Sequence, residues 1–132
     1  MSEHEHPNAQ IARKAYEAFS AGDTTATMDL LDPDTAWHIA GDSSISGSYH
    51  GPDGVLELFA KLSEGSNGTF TLDLHDVVAN DEHTVGLVHA RAERDGKVLD
   101  ARIVHVMHVR DGKIEDLWAF TDDQRDVDAF WT

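Results

Sequence analysis

Residues 95–122 read DGKVLDARIVHVMHVRDGKIEDLWAFTD, and this stretch decides the fold. Its two Asp-Gly pairs, at 95–96 and 111–112, separate runs in which apolar and polar residues alternate. An Asp-Gly pair between alternating runs is a strong signal for a tight β-hairpin turn. The stretch therefore predicts two long antiparallel strands, over 97–110 and 113–121.

The alternation also assigns side chains to the two faces of the predicted sheet, because successive side chains of a strand point to opposite faces. The more apolar set of the first strand should face the core, and it consists of Ala101, Ile103, His105, Met107 and Val109. His105 is the only titratable side chain in this set. The sequence therefore predicts an apolar small-molecule pocket with His105 in its wall.

The turn at 111–112 leaves the pairing of the last hairpin open. A type I turn with a glycine bulge would place His105 opposite Leu117 and Ile103 opposite Ala119. A two-residue turn would instead place His105 opposite Trp118.

The turn at Asp95-Gly96 sets the partners of an earlier predicted strand over 84–94. A two-residue turn pairs Val88 with Ile103 and Gly86 with His105. We favour this pairing because the alternative would turn Arg91 and Glu93 toward the core.

The first half of the chain predicts three helices, since its apolar residues recur at helical spacing. The first should run from near Asn8 to Ala21, after a disordered polar tail over residues 1–7. The second should start at Thr24 or Thr25, carry Leu31 and end at Asp32-Pro33.

The remaining expectations are a strand over 35–39, a loop over 41–48, a helix from Pro52 with a stripe of Val55, Leu56, Phe59 and Leu62, a strand over 69–79 and a final helical segment over 122–131. Helices followed by a meander of strands indicate one α+β domain over residues 8–132.

Composition excludes several classes of protein. The net charge is −15 and the ten Lys and Arg are scattered, which disfavours nucleic acid and anionic membranes as partners. There is no cysteine, and hence no disulfide or thiolate site. The N-terminal residues lack the apolar core that a secretory signal requires. No apolar run approaches the ~20 residues of a membrane helix, so we expect a cytoplasmic protein. No histidine pair has helical metal-ligand spacing, so we expect no metal and no cofactor.

Five short segments then occur in a recognisable order. They are Ala18-Phe19-Ser20-Ala21-Gly22-Asp23, Trp37-His38, Tyr49-His50-Gly51, Asp111-Gly112-Lys113-Ile114 and Trp118. Together they resemble the SnoaL-like proteins, of the superfamily of nuclear transport factor 2, ketosteroid isomerase and limonene epoxide hydrolase. The resemblance implies a cystatin-like α+β fold, in which three helices of the N-terminal half wrap a curved mixed sheet into a cone. It also implies a deep apolar pocket beside the C-terminal segment and a homodimer formed through the outer sheet face.

The resemblance to ketosteroid isomerases can be followed residue by residue. Their carboxylate base, their tyrosine and their protonated aspartate look like Ile39, Ala15 and His105 here, and Tyr16 lies one residue out of phase with the tyrosine. One of these three positions therefore carries a polar side chain.

The other two carboxylate arrays of the superfamily are missing as well. The Arg-x-Asp pair and the second Asp of limonene epoxide hydrolases look like Gly86, Val88 and Ala119. The inward aspartate of SnoaL-like cyclases has Asp122 as its nearest counterpart, and the phase of Asp122 puts it off the pocket wall.

These observations give a first hypothesis for function. His105 would be the catalytic residue, transferring or holding a proton in an enzyme that isomerises, cyclises or hydrates a small hydrophobic carbonyl or polyketide-like substrate. The substrate-binding wall is predicted to contain Tyr16, Trp37, Ile39, Phe59, Val88, Ile103, Met107, Leu117, Ala119 and Thr121. Two alternatives remain: a non-catalytic binder of a hydrophobic metabolite, and an interaction module that works through the outer sheet face.

Overall fold

The computed structural model describes residues 5–132 and contains four helices and six strands within that range. The helices are α1 (Pro7–Ser20), α2 (Thr24–Asp29), α3 (Gly51–Gly65) and α4 (Gln124–Trp131). The strands are β1 (Leu31–Ile39), β2 (Gly47–His50), β3 (Thr71–Ala79), β4 (Thr84–Arg94), β5 (Lys97–Arg110) and β6 (Lys113–Thr121). The strands form one sheet in the order β2-β1-β6-β5-β4-β3, in which β1 and β6 are parallel and all other neighbours are antiparallel. The predicted α+β fold with a curved mixed sheet is confirmed.

Residues 5–7 take part in the fold, although the sequence predicts a disordered tail over residues 1–7. Residues 1–4 lie outside the described residues, but the side chain of His6 accepts a hydrogen bond from the Asn8 N–H and so caps α1, whose first residue is Pro7. Glu5 forms an ion pair with Arg13 at 2.7 Å. The prediction was wrong for residues 5–7, because a histidine cap followed by proline is a helix start that composition alone conceals.

The second helix ends earlier than expected. Asp23 caps it and it stops at Asp29, so that Leu31 belongs to β1 and not to the helix. The pairing of β1 with β6 is irregular between Leu31 and Ala36. Pro33 lies in this irregular part, where the missing N–H of a proline removes no regular ladder bond.

Strand β2 was missed, because residues 47–50 fall within and beside the stretch that composition predicts as a loop. The strand pairs antiparallel with β1, with Tyr49 opposite Trp37. Its glycine and serine have little strand propensity. Tyr49 anchors the segment, since it is buried and its hydroxyl donates to the Ile45 carbonyl at 2.7 Å.

Of the pairings predicted for the two hairpins, the first is confirmed and the second is wrong. The pairing of Val88 with Ile103 and of Gly86 with His105 is confirmed. Both registers considered for the last hairpin were wrong, because a two-residue turn is followed by a β-bulge. Arg110 pairs with Lys113, a register shift between His108 and Val109 leaves one extra residue in β6, and His105 therefore lies opposite Ala119.

The helices cover one face of the sheet, and the core lies between them. The inner residues of β5 and β6 pack in two adjoining clusters against α1, α3 and α4. Within α3 the buried residues are Val55 and Leu58, whereas Leu56, which the predicted stripe included, is exposed. The bulges in β1, β3 and β6 interrupt regular pairing, and bulges of this kind bend a sheet around the layer it covers. Within residues 5–132, no helix combines the length and the apolar character needed to cross a membrane.

Helix α4 is anchored by Trp131, and we expect Trp131→Ala to lower the free energy of unfolding by about 3–5 kcal/mol. The indole is 2% exposed and packs on Phe70 and Phe130, with ring centroids 5.8 and 4.9 Å away. Urea unfolding would measure the loss. The control is Val98→Ala on a side chain that is 66% exposed, which should change stability by less than ~0.5 kcal/mol. A loss below ~1 kcal/mol for Trp131→Ala would show that α4 is not held by this side chain.

Candidate active site

A cavity of about 120 Å³ lies between the inner face of the sheet and the helices. Ten residues predicted for the site line it: Tyr16, Trp37, Ile39, Phe59, Ile103, His105, Met107, Leu117, Ala119 and Thr121. Val88 does not. It is on the inner face and only 3% exposed, but α1 packs against β3 and β4 there and separates it from the cavity. Its assignment to the wall was wrong because strand phase fixes the face of the sheet but not which helix covers it.

The main polar contact inside the cavity joins α1 to β5. The Tyr16 hydroxyl lies 2.7 Å from His105 Nδ1, and the two rings are stacked with centroids 5.8 Å apart and planes 13° from parallel. His105 reaches this point because the alternation of β5 turns it inward, and Tyr16 reaches it from the side of α1 that faces the sheet. The sequence predicted both residues for the pocket but not the bond between them.

Gly86 makes room for this contact. It lies directly across the β4–β5 ladder from His105. A Cβ atom on residue 86 would collide with the Tyr16 hydroxyl oxygen and would lie 2.9 Å from Tyr16 Cζ. A glycine in the middle of a strand often marks such a close approach, and this was the available signal for the Tyr16–His105 pair.

Burial keeps both partners neutral. Desolvation lowers the pKa of His105 to about 4, because the surrounding apolar groups disfavour the imidazolium. Desolvation raises the pKa of the Tyr16 phenol above its ordinary value for the corresponding reason. At pH 7 the pair is therefore a neutral phenol and a neutral imidazole.

The hydrogen bond of the Tyr16 hydroxyl determines which tautomer the His105 imidazole adopts. Among residues 5–132, His105 Nδ1 is the only partner of the Tyr16 hydroxyl, and a buried O–H left without an acceptor is costly. The phenol therefore donates to Nδ1, so the proton of the neutral ring is on Nε2. Nε2 has no protein partner within the described residues, and His105 lines the cavity. His105 consequently offers the cavity an N–H donor.

Most of the other polar side chains of the wall are already engaged. The Thr27 hydroxyl donates to the Asp23 carbonyl, the Thr121 hydroxyl donates to the Arg102 carbonyl, and the Gln124 amide donates to Ala40 and Asp128. Ser43 is bonded to Ser46. Among residues 5–132, no Asp, Glu, Lys or Arg side chain lines the cavity. Asp122 is absent from it, as its phase predicts.

The positions that resemble catalytic positions of the superfamily mostly carry small or apolar residues. Ala15, Ile39 and Ala119 line the cavity, and Gly86 lies against Tyr16. The arrangement can therefore hold a neutral molecule and donate a hydrogen bond to it from His105. Among the described residues it has no carboxylate to remove a proton from carbon.

Two further histidines of the sheet, His38 and His108, gather around Trp118 on its outer face. The ring of Trp118 stacks on His38 at 5.3 Å and meets His108 edge-on at 5.2 Å. His108 also bonds to Asp116. Within residues 5–132, no group of three or more His, Cys, Asp or Glu side chains is arranged to hold a metal ion.

Comparison with known proteins agrees with this fold. Residues 12–117 match the model of the SnoaL-like domain family. An uncharacterized protein of Mycobacterium tuberculosis is 30% identical over 122 residues, covering 92% of this chain and 93% of the relative.

Solved structures extend the comparison. Bal32a, from a soil-derived mobile gene cassette, is 31% identical with a TM-score of 0.91, covering 96% of this chain and 97% of that one. A protein of unknown function with a cystatin-like fold from Xanthomonas campestris is 30% identical with a TM-score of 0.86, covering 92% and 95%. An NTF2-like protein from Burkholderia pseudomallei, at 22% identity and a TM-score of 0.82 over 96% and 98% of the chains, shares the fold.

The buried imidazole should make stability depend on pH in a defined way. The pKa of His105 is about 4 in the folded chain and ~6.5 in an unfolded one, so the unfolded chain binds this proton more tightly. Its neutral form stabilises the fold fully above pH ~6.5, and this contribution falls as the pH drops toward 4. Relative to His105→Phe, the wild type should lose about 3 kcal/mol of unfolding free energy between pH 7 and pH 4.

Urea unfolding of both proteins across this pH range would measure the difference. His75→Phe is the control, because His75 is an exposed histidine on β3. A difference between wild type and His105→Phe that is constant with pH would contradict the burial argument.

Proposed function

The chain belongs to the SnoaL-like domain family, and from this premise we propose that it is an enzyme that polarises the carbonyl group of a small neutral substrate. Of the predicted reaction types, we favour aldol-type ring closure and hydration over isomerisation. The observation that supports this most directly is the His105 Nε2–H, which faces an apolar cavity while Tyr16 holds Nδ1. We therefore assign to His105 the holding of a hydrogen bond on the reacting oxygen, in preference to proton transfer.

The chemistry follows from where negative charge develops. When a nucleophile adds to a carbonyl carbon, the C=O π electrons move to oxygen, and a fixed donor binds that oxygen more strongly than the starting ketone. In a dry, apolar site such a hydrogen bond is strengthened by the low dielectric. The Tyr16 hydroxyl supports the donor by fixing the tautomer and orientation of the ring.

The missing carboxylate favours reactions that need no strong protein base. In an intramolecular aldol closure, the enol carbon of the substrate forms the new C–C bond, and the enol proton passes to the new alkoxide oxygen. Hydration similarly moves a water proton to the oxygen while the water oxygen bonds to carbon. When it starts from a substrate that is already an enol, ring closure takes no proton from carbon, and hydration takes none either, whereas isomerisation needs a base to remove one.

The cavity also indicates the kind of substrate. In the described part of the chain, no cationic side chain of the wall could pair with a carboxylate or phosphate, so the bound part of the molecule should be neutral. Its volume of about 120 Å³ is close to the ~150 Å³ at which an apolar protein cavity binds benzene. Within the predicted class of carbonyl and polyketide-like compounds, we therefore propose substrates whose reacting part is about one ring in size.

We expect the protein to accelerate the exchange of the carbonyl oxygen of cyclohexanone with isotopically labelled water, which proceeds through the hydrate and takes no proton from carbon, and mass spectrometry would measure the rate. His105→Phe removes the donor but keeps a flat ring, and should lower kcat by roughly 10²–10³-fold. His75→Phe on the exposed surface should leave kcat unchanged. Turnover that survives in His105→Phe would rule out the role assigned to His105.

A carrier of hydrophobic metabolites is the second candidate. The absence of carboxylates at Ile39, Gly86, Val88 and Ala119 is the observation that favours it, because such a pocket can bind without reacting. A carrier would bind cyclohexanone measurably by calorimetry, would release every tested carbonyl compound unchanged, and would keep its affinity for hydrocarbon rings in His105→Phe.

We also propose that the outer sheet face forms a homodimer. Val78 and Phe120 are 54% and 50% exposed on this face, beside the half-buried Val104, Val106 and Trp118. Large apolar side chains gathered on one exposed face commonly mark an interface.

Val106→Glu would place a buried charge in this interface, and we expect it to weaken dimerisation at least tenfold in sedimentation velocity. Leu56→Glu, on an exposed apolar side chain of α3 on the other side of the sheet, is the matched control. A dimer that persists in Val106→Glu at unchanged affinity would place the interface elsewhere.

A further inference from the structure

A second concavity adjoins the active-site cavity on the helical side of the molecule. It is a groove of about 330 Å³ between the end of α1, the start of α2 and the end of α3. Its apolar side is formed by Phe19, Phe59 and Phe70, and its outer rim carries Asp23 and Ser63. The groove thus passes from an aromatic floor to a polar rim.

The floor of this groove is the wall of the cavity. Five residues line both spaces, namely Phe19, Thr27, Phe59, Leu62 and Phe70. Phe19 lies at the centre of the partition, with its ring edge-to-face against Phe59 at 5.0 Å and against Phe70 at 6.2 Å. The partition is therefore built from aromatic side chains that touch one another without hydrogen bonds.

The opposite end of the cavity is held more firmly. There the loop after β1 is bonded to α4: the Asp42 N–H donates to Asp128 at 3.0 Å, and the Ser44 hydroxyl donates to the Trp131 carbonyl at 2.6 Å. The Gln124 amide donates to the Ala40 carbonyl at 3.3 Å. Opening that end breaks hydrogen bonds, whereas turning Phe19 aside breaks only van der Waals contacts.

The volumes of the two spaces also favour a single site that includes both the cavity and the groove. A cavity of about 120 Å³ alone is smaller than the ~300–1,000 Å³ of typical small-molecule sites, and the cavity and groove together fall within that range. We propose that the groove is a second subsite of the same active site, which takes the tail of an elongated neutral substrate whose carbonyl group lies at His105. This proposal rests on the proposed function.

The shape and charge of the groove define the tail. Its first part passes the ring edges of Phe19, Phe59 and Phe70, so it is flat or unbranched and apolar. Its end lies at the polar rim and carries an uncharged hydrogen-bonding group such as a hydroxyl. An anionic end is disfavoured, because the Asp23 carboxylate lies at the rim and, of the residues that the structure describes, no Lys or Arg lines the groove.

The test is a calorimetric series of cyclohexanones with unbranched 4-alkyl chains, from methyl to hexyl. The tail should enter the groove as it lengthens, and the dissociation constant should fall by about fourfold for each fully buried methylene group. Ser63→Trp fills the groove from an exposed position on α3 and should abolish this dependence while leaving the affinity for unsubstituted cyclohexanone unchanged.

Glu64→Trp is the matched control, since Glu64 is the exposed neighbour of Ser63 and does not line the groove. It should keep the wild-type chain-length dependence. If cyclohexanone binds but chain length or Ser63→Trp has no effect, or if Glu64→Trp acts like Ser63→Trp, the subsite is overturned and the proposed function stands. If no member of the series binds, both are overturned.

Discussion

The hydrogen bond between the Tyr16 hydroxyl and His105 Nδ1 connects α1 to the middle of the sheet, and the arrangement of the site depends on it. It requires an inward phase for His105, a helix that crosses β4 closely, and a position opposite His105 without a Cβ atom, which Gly86 supplies. Each side chain satisfies a hydrogen-bonding group of the other, since burying a phenol or an imidazole without a partner is unfavourable. The bond therefore lets an apolar core contain two polar side chains and leaves one N–H free for a ligand.

The charge of the molecule is distributed in a way that suits this site. The chain carries a net charge of −15, yet no ionised side chain of residues 5–132 lines the cavity. The acidic residues in this range are on the surface, where water and salt screen them, and a strongly negative surface repels anions while leaving neutral molecules unaffected. Under the proposed function, the acidic surface would disfavour the approach of anions and the uncharged lining would disfavour their binding.

Much of the fold could be predicted from local chemistry, and the errors have identifiable causes. Strands β4, β5 and β6 were predicted with their observed bounds, because Asp-Gly turns delimit them. The register of the last hairpin was wrong because the bulge near Glu115 depends on packing against β1, which the turn sequence does not encode. Ten of the eleven predicted site residues line the cavity, as strand and helix phase indicate, and Val88 does not, since the path of α1 over the sheet is a tertiary property. The partnership of Tyr16 with His105 joins residues 89 positions apart and lies beyond any local pattern.

The low pKa of His105 limits the possible chemistry more than the fact that the residue is a histidine. With a pKa of about 4, the imidazole is a poor proton acceptor at neutral pH, and Tyr16 occupies the nitrogen that carries the lone pair. Loss of the Nε2 proton would require an imidazolate or, through Tyr16, a phenolate whose pKa burial has raised, so full proton donation is unfavourable too. What remains is a fixed, neutral hydrogen-bond donor in a medium of low dielectric, whose advantage grows with the charge on the oxygen it meets. A donor of this kind stabilises an oxyanion without exchanging a proton, and this is why the site suits additions to a carbonyl group better than proton transfers at carbon.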